Sequence, residues 1–412
     1  MQNQRVLIIG TVWPEPGSSA AGSRMMQLIN MFKEENHAVT FSSASANSPF
    51  AVNLEEHGVN KVPVELNNSS FDDFIMQLNP GIVLFDRFMT EEQYGWRVAK
   101  HCPEALRVLD MEDMHCLRYA REKAFKENRA YTNNDLLNDI ALREIASVYR
   151  CDISLVISKV EMQLLREVFG VGDALLHYIP FMYDETREKE IAAWPLYEER
   201  AHFISIGNFL HEPNRNAVLY LKETIWPLIR AQLPKAELHI YGAYPVQQVL
   251  QMHKPTEGFM VKGRAGDARK VVSLAKVSLA PLRIGAGLKG KLAEAMAYGT
   301  PSVTTGIGAE GMCDQLPWSG FIHDEPDAFA NAAVELYGNK ELWLQKQANG
   351  VRLINKLFSK HGHQQQLIGR FTEVSNMLEE HRRANFTGAM LRHHFAASTM
   401  YMSRWIEAKN KS

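Results

Sequence analysis

The chain has 412 residues, 46% of them hydrophobic and 22% charged, with a formal net charge of −2. That length exceeds the usual size of one hydrophobic core and implies two domains of about 150–200 residues each. The near-neutral charge argues against nucleic acid as a partner, which needs a basic surplus on one face. Cys102, Cys116, Cys151 and Cys313 form neither a CxxC nor a zinc-spaced cluster, so they read as the scattered thiols of a reduced, cytoplasmic protein.

The opening MQNQRVLIIG is too short in apolar residues for a secretory or membrane segment, and RVLII (5–9) reads as a first strand. The sequons at Asn68 and Asn385 carry no weight in a chain without signs of secretion. A glycine- and serine-rich turn follows, then the amphipathic SRMMQLINMFKEE, with Met26, Leu28, Ile29 and Phe32 near helical spacing. AVTFSS (38–43), GIVLFD (81–86), LRVLD (106–110), ISLVI (153–157) and LLHYI (175–179) read as strands. Helices are expected around 91–101, 113–148 and 159–168.

The charged stretch DETREKEIAAWPLYEER (184–200) lacks a strand pattern and reads as a linker. Beyond it come HFISIG (202–207), a helix around 214–231, ELHIYG (237–242), FMVKG (259–263), KVSLAPL (276–282) and SVTT (302–305). From about 326 the pattern is helical, with no further strand expected. Strands separated by helices pair in parallel, so the expected class is α/β: two Rossmann-like, doubly wound parallel-sheet domains facing a cleft. The expected bounds are 1–184, a linker over 185–200, a second domain over 201–380, and a C-terminal helix over 381–412.

The most informative stretch is RIGAGLKGKLAEAMAYGTPSVTT (283–305). Gly285, Gly287 and Gly290 let the backbone approach a ligand, and the free amides of the following helix favour an anion. Lys289 and Lys291 add positive charge, and Glu294 can accept hydrogen bonds from a vicinal diol such as a ribose. The competing bland reading is a solvated Lys291–Glu294 pair with Gly299 as an ordinary helix stop. Gly285 to Gly290 also spells the dinucleotide GxGxxG, but after the fourth strand of its unit and with no acid ending the next strand.

These residues resemble the retaining glycosyltransferases of the GT-B fold, the group 1 (family 4) set. FISIGNFLHEPNRNAVLYLKETIWPLIRAQLPKAELHIYG looks like the opening of that family's donor domain, and APLRIGAGLKGKLAEAMAYGTPSVTTGIGAEGM like its nucleotide-sugar segment. VLDMEDMHCLRYARE and CDISLVISKVEMQLL are similar to its acceptor-side elements. The resemblance implies a donor site at Gly207, Asn208, Gly263, Arg264, Gly285, Gly287, Leu288, Lys289, Lys291 and Glu294, with Glu294 on the ribose. It places Ala21 and Gly22 near phosphate and acceptor, and Asp113 and His115 in the transfer site as the catalytic candidates. His115 reads equally well as a histidine at a helix start.

Departures from the family pattern are specific. Ala286 stands where the first of the family's paired glutamates, which touches donor-sugar hydroxyls, would be. Asn208 and Asn214 lie near the family's Arg and Lys positions, leaving Arg215, Arg283, Lys289 and Lys291 to supply phosphate charge.

The implied activity is metal-independent transfer of a hexosyl group, with retention, from a nucleoside-diphosphate sugar (UDP favoured) to a saccharide or lipid-linked acceptor. The implied setting is bacterial cell-surface polysaccharide synthesis. Asp110-Met-Glu112 superficially resembles a DxD motif, but in the wrong half, so no metal and no cofactor is assigned. A nucleotide-sugar epimerase and a non-catalytic nucleotide-sugar binder are the alternatives. The tail interleaves Phe386, Met390, Leu391, Phe395, Met402, Trp405 and Ile406 with basic residues. The favoured reading is packing on the first domain; the second is peripheral contact with the inner membrane surface.

Overall fold

The computed structural model describes residues 4–411. The first sheet holds β1 (Arg5–Ile9), β2 (Ala38–Ser43), β3 (Asn60–Pro63), β4 (Ile82–Asp86), β5 (Leu106–Asp110), β6 (Ile153–Val156) and β7 (Leu176–Tyr178). Its order is β3-β2-β1-β4-β5-β6-β7, parallel throughout. The second sheet holds β8 (Ala201–Ile206), β9 (Leu238–Tyr241), β10 (Phe259–Gly263), β11 (Ala275–Ala280), β12 (Ser302–Thr304) and β13 (Gly320–Ile322). It runs β10-β9-β8-β11-β12-β13, also parallel. Both domains are therefore doubly wound, as the alternating pattern requires.

The apolar runs become strands because both faces are covered: every residue of β4 and β5 is buried. Two strands escape the sequence reading. β3 is a half-exposed edge strand rich in polar residues, with no apolar run to announce it. β13 is three residues long and begins at Gly320, whose φ is 138° and where an added Cβ would lie 1.8 Å from the Ser302 carbonyl oxygen. Only a glycine lets that strand close on β12.

The helix expected over 113–148 is interrupted. It forms as His115–Lys126 and Asp139–Arg150, because Asn128 takes a left-handed φ of 50° and Asn138 caps the second piece through Ile140 and Ala141 amides.

The tail crosses back earlier than residue 381. Tyr183 and the Phe358–Lys360 segment exchange backbone hydrogen bonds, both 2.8 Å, and the chain then stays on the first domain. Leu367, Phe371 and Val374 of the helix Lys360–Asn376 complete the first domain's core, with Phe371 stacked on Phe32. The last helix, Phe386–Lys411, lies on the helices Arg87–His101 and Asp139–Arg150, and Arg97 donates to Ser403 Oγ at 3.1 Å. The side chain of Phe395 lies outside the described residues. Among the described residues no helix is long and apolar enough to cross a membrane.

A buried ion pair ties the first helix to the sheet. Arg24 donates to Asp110 at 2.9 Å and to the Ile179 carbonyl at 2.7 Å, with both side chains essentially inaccessible. Breaking such a pair strands a charge in a low-dielectric interior. Asp110→Asn is therefore expected to cost about 3–5 kcal/mol, read as a lower urea midpoint, whereas a loss below about 1 kcal/mol would show that the pair carries little.

Candidate functional site

In each sheet the winding direction reverses beside the first strand, between β1 and β4 and between β8 and β11. Open parallel sheets take ligands in the crevice such reversals create at the strands' carboxyl ends. Here the two crevices face each other across one cleft of about 870 Å³. Its walls come from the segments after β1, β4 and β5 on one side and after β8, β10 and β11 on the other.

The glycine loop has the conformation its composition implies. Gly285 and Gly287 have φ of 140° and 62°. An added Cβ on Gly287 would lie 2.8 Å from Asp113 Cβ, and one on Gly290 would lie 2.4 Å from Ala20 Cβ. The loop thus touches the opposite domain backbone-first. The Gly287 amide donates to Glu161 Oε1 at 2.8 Å, and the same oxygen accepts from the Met114 amide at 3.0 Å. Arg121 bridges likewise, donating to the Gly285 carbonyl at 2.9 Å and to Glu310 at 2.7 Å. Apolar contact backs these bonds: Ile157 and Phe181 of the first domain pack with Leu288, Leu292 and Met296 of the second.

The helix Gly290–Ala297 follows with no side-chain cap, and Gly290 and Lys291 line the cleft. An uncapped helix start offers its free amides to an anion. Lys291 Nζ donates to Asn214 Oδ1 at 2.7 Å. Gly207 permits this approach, since a Cβ there would lie 2.9 Å from Lys291 Nζ. Lys289 Nζ donates to the carbonyls of Ala286 and Gly287 at 2.9 and 2.6 Å, so it staples the loop as well as lining the cleft. Burial pushes both lysines down to about 8. Burial pushes Glu294 up to about 7, partly opposed by Lys291. All three groups therefore titrate near neutrality and respond to a bound charge.

The facing wall is set by the turn after β5. His115 begins its helix, and the amides of His115 and Cys116 donate to the Glu144 carboxylate at 2.9 and 3.1 Å. His115 Nδ1 lies 3.0 Å from the Asp113 carbonyl oxygen. A carbonyl only accepts, so Nδ1 carries the hydrogen and Nε2 is left as the ring's other polar atom. Asp113 is paired with Arg118 at 2.7 Å. Burial would raise its carboxyl, but Arg118 and the nearby histidines outweigh that and hold it well below the usual range. Glu112, at a left-handed φ of 59°, lines the cleft with a buried Oε1 lacking a partner among the described residues. Burial, with Asp110 nearby, pushes it up to about 8.

The cleft gathers Ala21, Gly22, Asp113, His115, Gly207, Asn208, Arg264, Gly285, Gly287, Leu288, Lys289, Lys291 and Glu294. Three expected residues stand outside it. Arg283 donates to Asn216 at 2.9 Å and lies over the Tyr220 and Phe125 rings. Arg215 is taken by Glu212 and by the Phe209 carbonyl. Gly263, at φ 74° where β10 shifts register, only sets the turn before Arg264. The Gly22 amide is already spent on its cap Ser19, at 3.0 Å.

Charge also reaches the cleft from Arg87 and Arg118, and His211 lines it beside them. Arg87 has φ 68°, an uncommon conformation for an arginine. Burial, with Arg118 nearby, pushes His211 down to about 4. The signals in the sequence are position for Arg87, which directly follows the strand expected over 81–86, and, for Arg118 and His211, a place within the segments that resemble the family.

Residues 200–339 match the family model described as glycosyl transferases group 1. Solved structures share the two-domain GT-B fold. Sucrose-phosphate synthase from Thermosynechococcus elongatus superposes with a TM-score of 0.66 at 15% identity, over 90% of this chain and 99% of that one. Anabaena HepE gives 0.66 at 12% identity over 90% and 100%. Staphylococcus aureus TarM gives 0.66 at 10% identity over 89% and 99%. No curated protein is significantly similar in sequence.

Gly290→Ala puts a methyl group where the domains touch, so the cleft should open. Small-angle scattering is expected to show a larger radius of gyration, and any turnover should fall about 100-fold, the usual effect of roughly 1 Å misplacement. Unchanged scattering and turnover would show that the closed contact is dispensable.

Proposed function

From a second domain that is a group 1 glycosyltransferase domain, we propose that the chain transfers a sugar from a nucleoside diphosphate to an acceptor hydroxyl with retention. The carrying observation is the convergence of an uncapped helix start, Lys291 and Glu294 on one wall of a cleft whose other wall presents His115. The cleft's volume is that of a site for a molecule of nucleotide-sugar size.

In this reading the Glu294 carboxylate accepts from the ribose diol. The diphosphate lies against the amides of Gly290 and Lys291 and the Lys291 ammonium. As the anomeric C–O bond breaks, its electron pair goes to the diphosphate, where preorganised cations and amide dipoles offset the growing charge. The acceptor oxygen bonds to the anomeric carbon and its proton passes to the leaving phosphate oxygen. No protein base is required. Asp113, held ionised by Arg118, is a positioning residue for that arginine and for the loop carrying His115. His115 Nε2 and the Glu112 carboxyl are the groups offered to donor-sugar hydroxyls. Glu112 takes over a contact that Ala286, which lines the cleft with only a methyl group, cannot make. No step uses a metal.

UDP is the favoured carrier. HepE has been solved with UDP and glucose, and TarM with UDP and alpha-GlcNAc-glycerol. Bacterial surface-polysaccharide synthesis, a saccharide or lipid-linked acceptor and a hexosyl donor belong to the same proposal. So do a cytoplasmic location, possible attachment at the inner membrane, and the domain bounds around residues 184 and 201. The second reading, a non-catalytic binder, is motivated by Ala286. Sugar release from any member of a nucleotide-sugar panel supports the transferase, and tight nucleotide binding without turnover supports the binder.

Donor affinity should follow a bell in pH. It rises as Glu294 ionises through about 7 and falls as Lys291 and Lys289 lose their protons above about 8. Glu294→Gln should remove the acidic limb and weaken UDP-sugar binding at pH 8 by about tenfold or more, the worth of hydrogen bonds to a charged group. Calorimetry showing an intact acidic limb would take Glu294 off the ribose.

His115→Ala should lower kcat about 100-fold with little change in donor affinity. Unaltered turnover would leave His115 as a helix-start residue only.

A further inference from the structure

A second cavity, of about 270 Å³, shares no residue with the cleft. It lies where the last helix, Phe386–Lys411, crosses the helices Arg87–His101 and Asp139–Arg150 above β5. Four cationic residues, Lys100, Arg107, Arg150 and Arg392, line it against two acidic ones, Glu91 and Glu92. Both acids are engaged: Glu91 accepts from Arg150 at 3.0 Å and Glu92 from Arg143 at 3.0 Å. The nearby Asp152 is held by Arg382 at 2.8 Å and stands 3.5 Å from Arg107.

Apart from the Thr399 hydroxyl, the remaining polar side-chain groups of the lining are donors. Arg107 Nε and Trp96 Nε1 are buried without a hydrogen-bond partner among the described residues. Their residues are 5% and 8% exposed, so water does not substitute freely. Arg392 donates to the Arg150 carbonyl at 3.3 Å, and no carboxylate pairs with it among the described residues. Burial, reinforced by Arg107, pushes Arg392 down to about 10. Buried donors without acceptors cost free energy that a bound acceptor restores. Guanidinium forks converging from separate elements match a tetrahedral oxyanion better than a monatomic one.

We propose that this cavity binds a phosphate group, as inorganic phosphate or a phosphomonoester. The guanidinium groups of Arg107 and Arg392 hold it, and it fastens the C-terminal helix to the first domain. Lys100, exposed at the rim, adds charge on the approach. The inference does not depend on what the cleft binds.

The test uses the full chain, inorganic phosphate as probe, and chloride at matched ionic strength as control. Thermal-shift titration is expected to show a saturable rise in apparent Tm in the wild type. Lys291→Met, in the cleft, should retain it, and Arg392→Gln should weaken the apparent affinity about tenfold or more. Lys100→Gln, on the exposed rim, provides a second variant that leaves the buried groups in place and should weaken it several-fold. Glycerol 3-phosphate and phosphatidate vesicles separate the sources: Arg392-dependent binding of the former supports a soluble ligand, and of the latter a lipid headgroup. The proposal is overturned if no saturable response occurs. It is equally overturned if Lys291→Met removes the response while Arg392→Gln and Lys100→Gln leave it intact, which puts the ion in the cleft.

Discussion

The molecule depends on a contact to which the second domain brings bare backbone. At Gly287 and Gly290 it meets the first domain with no side chain of its own, and the space a methyl group would need is already filled by Asp113 and Ala20. The meeting is directional because Glu161 takes both the Gly287 and Met114 amides on one oxygen. Burial, with Asp113 close by, pushes Glu161 up to about 8, while the two amide hydrogen bonds oppose that rise.

That contact sets the electrostatics of the cleft. With the domains together, Lys289, Lys291 and Glu294 are removed from bulk water, and all three shift toward neutrality. Arg118 and Asp113 instead neutralise each other as a pair. In the proposed reading the wall offered to the diphosphate is thus made of cations whose charge is costly until an anion arrives, and the wall offered to the sugar carries His115 and the raised Glu112 carboxyl. Such an arrangement concentrates binding energy where charge develops.

The chain's return across the domains makes this geometry durable. Tyr183 and Lys360 stitch the outgoing and returning segments side by side, and Phe371 and Leu367 enter the first domain's core. The last helix then covers β5's neighbours and encloses the cavity rich in guanidinium groups.

Much of this was legible in the sequence because it is local. Period-2 and continuous apolar runs marked eleven of the strands. The glycines, lysines and Glu294 of one short segment announced a glycine loop on the cleft wall, since a tight loop before a helix start is a property of neighbouring residues. What sequence could not decide involves partners distant along the chain. Arg283 and Lys291 are both basic residues of the same segment, yet one lies over Tyr220 and Phe125 while the other reaches the cleft. Arg87, Arg118 and Glu161 come to the site because sheet order brings the ends of β4, β5 and β6 together, and His211 because the second sheet faces them across the cleft. Local pattern determined the elements and the anion-seeking loop. The tertiary structure alone decided which charges face the ligand, because burial and pairing between remote segments set both where a side chain points and what charge it carries.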